Sequence, residues 1–277
     1  MVSVPHLLAT LLTLQTPPDE SATAAAEPPA EEVKGEEKEK TWTATAGLGL
    51  IVLTGNASTI TFNGLATAER KVEHWIYAFK AFGAYGRSRP PEVEGVPTEP
   101  PQVVALNAGL QVRLDRRFTD QFSGYLLTGA ETDHVRSVEL RAFGEAGTSA
   151  IWWDRTTEDG RNSFLRTDLA FRFARERRFQ YYPTQENLPD VSIGGPRVGV
   201  NFRYALTKDI LFLDEASVLA SVIDSSRLIV SNQTKLTVRI SEALGLGTTF
   251  LVQYDSAPPE GKVPTDTSLT VSLEVGF

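Results

Sequence analysis

Cysteine is absent from the 277 residues, methionine occurs once and histidine three times. Without a thiol there is no disulfide scaffold, no thiolate metal site and no cysteine nucleophile. Three histidines as far apart as His6, His74 and His134 cannot build a helical H-E-x-x-H centre, so no metal or other cofactor is expected. Basic excess is missing too. The net charge is −8, and a nucleic-acid partner would need a positive field. No run of 18 apolar residues follows the N-terminus, which excludes a membrane-spanning helix. A membrane β-barrel passes that test, because alternating strands keep hydropathy low.

What the chain does have is alternation. Leu269, Val271, Leu273, Val275 and Phe277 point one way, and Thr270, Ser272, Glu274 and Gly276 the other. The same period of two runs through Val198–Tyr204, Leu165–Phe173, Val104–Leu114 and Leu236–Ile240. The sixteen prolines fall in the N-terminal head or in clusters at 90–101, 183–196 and 258–264. Proline removes a ladder donor, so strands are expected in the tracts between. Twelve are predicted, at 41–52, 57–69, 74–86, 102–115, 121–132, 136–152, 162–175, 194–205, 209–222, 228–240, 244–255 and 267–277. Segments 121–132 and 209–222 alternate least well. Short turns at one end and longer connections at the other, such as Arg175–Ile193, match an outer-membrane barrel. An even strand number returns both ends of the domain to the short-turn, periplasmic side.

Ahead of the strands, Leu7–Leu14 is a short apolar stretch followed by A-x-A patterns at Ala22–Ala24 and Ala24–Ala26. Residues 1–26 therefore read as a secretory signal. Residues 27–40 carry six Glu and three Lys with almost nothing apolar, and are expected to form a disordered acidic linker in the periplasm. The span from Asp19 to Lys40 holds a balance of −5, which leaves −3 for 41–277. That last stretch is the expected all-β domain. Alternation alone does not separate a barrel from a soluble sandwich. The leader, the loop asymmetry and the C-terminal aromatic favour a single antiparallel transmembrane barrel of about twelve strands in the outer membrane of a Gram-negative cell.

Two stretches carry a family likeness: Gly47-Leu48-Gly49-Leu50-Ile51-Val52-Leu53-Thr54-Gly55-Asn56 with the Thr-rich strand after it, and Tyr254–Phe277 with Pro259, Gly261, Lys262 and Asp266-Thr267. With the Arg203–Thr207 turn, they resemble the salt-induced outer-membrane protein family, a bacterial domain family of unknown function. The resemblance spans 41–277 but is patchy in the middle, where Trp152-Trp153 is not a family feature. It implies an outer-membrane β-barrel and carries no catalytic residue across.

On the face opposite the apolar one stand Arg113, Arg141, Arg166, Arg172, Arg197, Arg203, Lys235 and Arg239, with Asp115, Glu139, Glu145, Asp168 and Glu274. A basic group facing lipid at mid-bilayer costs ~2–4 kcal/mol, so these charges are expected in the lumen. Two outcomes follow: a narrow pore biased towards anions, or an ion-paired plug. Trp42, Trp75, Tyr77, Trp152, Trp153 and Tyr204 lie near strand ends, as interfacial aromatics do. Leu269, Val271, Leu273, Val275 and Phe277 form the expected C-terminal insertion signal, read by the barrel-assembly machinery. The bilayer is the other expected partner, and the barrel is expected to be a monomer. Asp133, His134 and Ser137 supply the residue types of a hydrolytic triad, but no G-x-S-x-G elbow accompanies them. His134 therefore reads as a solvated loop residue and His74 as interfacial. A non-enzymatic channel or envelope-stress barrel leads; a lipid-modifying barrel hydrolase and an adhesive surface protein are the alternatives.

Overall fold

The computed structural model describes residues 42–53, 58–89, 100–157, 161–182, 184–224 and 226–276. The expected leader, the acidic linker and Phe277 lie outside them. Twelve strands follow in chain order: β1 (Thr43–Leu53), β2 (Ser58–Val72), β3 (Trp75–Arg89), β4 (Gln102–Arg117), β5 (Phe122–Asp133), β6 (Val138–Thr156), β7 (Asn162–Gln180), β8 (Glu186–Ala205), β9 (Ile210–Ser221), β10 (Arg227–Arg239), β11 (Leu244–Asp255) and β12 (Thr265–Gly276). Each pairs antiparallel with the next, and β1 closes the ring on β12 through Thr45↔Gly276 to Leu48↔Leu273. There is no helix among the described residues.

The side-chain distribution is that of a soluble protein turned inside out. Leu48, Leu50, Leu110, Leu126, Leu169, Phe171, Val198 and Leu269 are exposed on the outer wall. Arg113, Asp115, Glu145, Asp168, Glu176 and Arg197 are buried inside it. Such a wall is stable only against hydrocarbon, and a closed ladder leaves no backbone group unsatisfied there. The barrel is a transmembrane one.

Both poorly alternating segments are strands, and the reason is local. β5 and β9 turn Tyr125, Leu127 and Leu219 inward, where they pack with Phe143, Ala174 and Ile193 in a small apolar core. With apolar residues on both faces, the period of two fades. β8 corrects the proline argument, because it contains Pro189 and Pro196. Pro189 sits in an irregularity of the β7–β8 register, between the pairs Arg178↔Leu188 and Glu176↔Val191. Pro196 lies just beyond the β8–β9 register, which starts at Arg197↔Leu219. On its other side Pro196 pairs with Phe171 inside the regular β7–β8 ladder, so a proline does stand within a central strand. Consequently the expected long loop Arg175–Ile193 is mostly hairpin: β7 runs to Gln180 and β8 starts at Glu186.

Candidate functional site: a half-filled lumen

The interior divides into two halves. Along β4–β9 it is filled. At its centre Arg113 donates from Nε and Nη2 to Asp115 (2.8 and 2.7 Å), from Nη1 to Asp168 (3.1 Å) and from Nη2 to Ser149 (2.8 Å). Ser149 donates onward to Asp168 at 2.5 Å, and Arg166 pairs with the same carboxylate at 3.3 Å. The Arg113 guanidinium lies 3.8 Å from the centre of the Tyr125 ring. Tyr125 in turn donates to Glu145 at 2.5 Å; Arg172 and Arg197 reach that carboxylate at 2.6 and 3.1 Å. A second cluster lies towards the rim that carries the β5–β6 and β11–β12 connections. There Glu176, wholly buried, receives Arg141 and Arg178 and pairs with Arg227, which forks onto Asp255 at 2.8 and 2.5 Å. Charges removed from water persist only when their partners compensate the lost hydration, and here Asp168, Glu145, Glu176 and Asp255 each serve two or more cations.

Along β10–β12 and β1–β3 many inward positions are small, Thr45, Gly47, Thr67, Thr249, Thr270 and Ser272 among them, and longer side chains such as Lys80 and Lys235 stand between. The space they leave is a cavity of about 520 Å³. Its lining reaches Thr207–Asp209 and Ser241–Leu244 at the short-turn rim and Asp133, Arg136 and Gln253 at the opposite rim. The cavity wall carries eight basic and six acidic side chains among the described residues. Some are neutralised in place, as where Lys235 meets Glu274 at 2.5 Å.

One turn crosses the mouth. Strands β5 and β11 stand six places apart in a ring of twelve, so they face each other across the lumen. From the β5–β6 turn Arg136 nevertheless donates to Gln253 at 3.0 Å and pairs with Asp266 at 3.2 Å. Arg136 and Gln253, with Glu131 and Arg141, line both the large cavity and a side cavity of about 50 Å³, and so form the partition between them. The base of the turn is pinned: His134 stacks on Tyr181 at 3.8 Å, and Phe179 donates from its backbone to the Ser137 carbonyl at 3.2 Å.

A family model for proteins of unknown function, DUF481, matches residues 46–277. The chain belongs to the DUF481 family. No curated protein matches it. Among solved structures it is similar to the NanC porin (10% identity, 84% of this chain and 97% of that one, TM-score 0.44). It is also similar to the KdgM porin (12%, 85% and 99%, TM-score 0.41). A third is the translocator domain of the autotransporter NalP from Neisseria meningitidis (12%, 87% and 90%, TM-score 0.39). The barrel assignment itself rests on the strand pairing described above.

In this DUF481 barrel the residues singled out from sequence fall as follows. Arg113, Asp115, Glu145, Arg166, Asp168, Arg172, Arg197 and Arg203 are buried inside, and Arg141, Lys235, Arg239 and Glu274 half-buried there. Glu139 does not join them. The β6 register shifts between Val138 and Leu140, and Glu139 instead pairs with Arg177 at 3.6 Å, the two side chains 41% and 59% exposed. All six aromatic candidates lie at the short-turn rim. Arg70 and Arg116 sit over the rings of Trp42 and Trp75, each at 5.6 Å. A second shift, between Ile151 and Trp153, puts both tryptophans outside: Trp152 donates to Thr167 at 2.8 Å, while Trp153 stacks on Phe202 and Tyr204 at 6.3 Å. Leu269, Val271 and Leu273 are exposed on the outer wall.

Sequence reasoning missed Glu176, Glu131, Arg227 and Asp255. The signal existed for Glu176 and Arg178, which continue the Arg166–Asp168–Arg172 parity of β7 beyond the predicted strand end. The imagined triad is not assembled. Ser137 is fully buried with its Oγ lacking a hydrogen-bond partner, so no serine–histidine contact exists.

Proposed function

We propose that this barrel is a non-enzymatic outer-membrane channel, conducting small hydrated solutes along the β10–β12 and β1–β3 half of its lumen. The observation that carries this is the 520 Å³ cavity whose lining reaches both rims. Interiors of about eight strands fill with side chains and those of sixteen leave an aqueous channel; twelve strands with one half filled give a narrow, eccentric path. The family likeness of residues 47–56 and 254–277 supports an envelope location, with the acidic segment 27–40 as a periplasmic tether and the apolar face of β12 as the insertion signal. The pairing of the lumen charges favours a weak anion bias over one set by their full count of eight basic and five acidic groups, the first of the two outcomes expected from sequence. Purified barrel in planar bilayers should give discrete, small single-channel steps. Silent bilayers containing demonstrably folded protein would leave the ion-paired plug, a barrel built for wall stability alone.

A further inference from the structure

The outer wall carries one polar cluster inside its apolar band. Asp214 on β9 and Asn232 and Thr234 on β10 have outward parity, since Leu213, Glu215, Ser217 and Ser231 on the same strands are buried within. The register sets Asp214 beside Thr234 and Asn232 beside Ala216. Thr234 donates to Asp214 at 2.7 Å, and the Asn232 amide reaches both carboxylate oxygens at 3.2 and 3.3 Å. Apolar neighbours surround them: Phe202 and Phe250 are the register partners across β8 and β11. Leu236 and Val238 lie towards the short turns, Val218 and Leu228 towards the other rim, all exposed. A carboxylate and an amide held there against lipid tails are costly, and polar groups inside a membrane are normally satisfied by protein.

The three residues do not exhaust their own bonding capacity. Asn232 has a second amide hydrogen and Asp214 a second oxygen held only by the long 3.3 Å contact, so the patch offers both a donor and an acceptor. A surface with both is complementary to a copy of itself turned through a two-fold axis. Ala216 and Ala220 on the same outer face allow two walls to approach closely, as small residues do in membrane contacts. We infer that this β9–β10 face is the contact between two copies of the chain, Asn232 of each donating to Asp214 of the other. The monomer expected from sequence took no account of Asp214. The inference rests on the wall facing lipid and not on conduction.

The absence of cysteine makes the test direct. Ala216→Cys in the full chain, reconstituted in phosphatidylcholine bilayers, should oxidise to a covalent dimer, whereas Leu110→Cys on β4, across the ring from β10, should stay monomeric. Sedimentation in detergent should show a wild-type dimer that Asp214→Leu weakens at least ten-fold in Kd. Asn232→Leu should do the same, which guards against one variant failing to fold. A wild-type monomer at every protein-to-lipid ratio overturns the inference. So does a dimer indifferent to both leucine variants, or one trapped through Leu110→Cys in place of Ala216→Cys.

Discussion

The two halves of the lumen share a ladder and a strand geometry, yet one is filled and the other is not. On β4–β9 the inward positions hold arginine, glutamate, tyrosine and phenylalanine, whose lengths span the interior and meet. On β11, β12 and β1 most of them hold glycine, serine and threonine, which stop near the wall. The room in a twelve-stranded ring is set by strand number and stagger, not by residue size. Filling is therefore a decision made residue by residue. Stability and permeability should separate along the same line.

Asp168 offers the sharpest break in that comparison. It is fully buried and holds Arg113, Arg166 and Ser149 together. Asp168→Ala removes the carboxylate that two buried guanidiniums share and should cost ~3–5 kcal/mol, the usual penalty for opening a buried pair. Ser272→Ala, on the open wall, should change urea unfolding in lipid by ~0.5 kcal/mol or less. Equal losses from the two would mean the network is no tighter than the hydrated wall.

Glycines sharpen it further. A Cβ on Gly195, where β8 approaches β9, would lie 1.9 Å from the Ala220 carbonyl oxygen, so backbone has to move. On Gly64 of the open half the nearest atom is a flexible Leu48 methyl at 3.6 Å. Gly195→Ala should destabilise by ~1–3 kcal/mol, as overpacking does, while Gly64→Ala should be close to neutral. Heat-dependent gel mobility of the folded barrels would rank the pair.

Much of this was legible in the sequence, and the illegible remainder has physical causes. Most of the twelve strands are visible because lipid outside and charge inside impose a period of two, which only β5 and β9 blur with apolar residues on both faces. Their ends are less visible, since β7 and β8 continue as a hairpin past the apolar band, where lipid no longer enforces the pattern. That is why Glu176 and Arg178 escaped. Pairing was hidden for a different reason. Parity tells which charges point inward, but Arg136 meeting Gln253 across the mouth depends on ring closure, which no local pattern encodes. Asp214 was passed over because the interior drew attention to charges of the other parity.

At the mouth, Arg136→Ala should merge the large cavity with the side cavity and raise single-channel conductance. The stability cost should be small, ~1 kcal/mol or less, because Asp266 is 41% exposed and Asp255 keeps its fork from Arg227. In liposome swelling, the variant should admit larger sugars than the wild type. An unchanged size limit in a conducting barrel would place the constriction lower down.

The smallest effect concerns ions, and it sets the two halves against each other directly. In the filled half, excess positive charge is held in pairs and cannot act on a passing ion. The cavity wall, to which both halves contribute, should then set selectivity, through eight basic and six acidic groups that nearly balance. Chloride should permeate only slightly better than potassium, despite the focusing of fields in a narrow low-dielectric path. Arg239 lines that path, and its buried Nε has no hydrogen-bond partner among the described residues. Arg239→Glu leaves seven groups of each sign and should therefore bring the reversal potential close to zero, at little cost in stability. Arg172→Gln, inside the filled half, should leave the reversal potential where it was while weakening the fold. If Arg172→Gln shifted selectivity as far as Arg239→Glu, water and ions would have to reach the ion-pair network, and the division of the lumen would be one of packing density only.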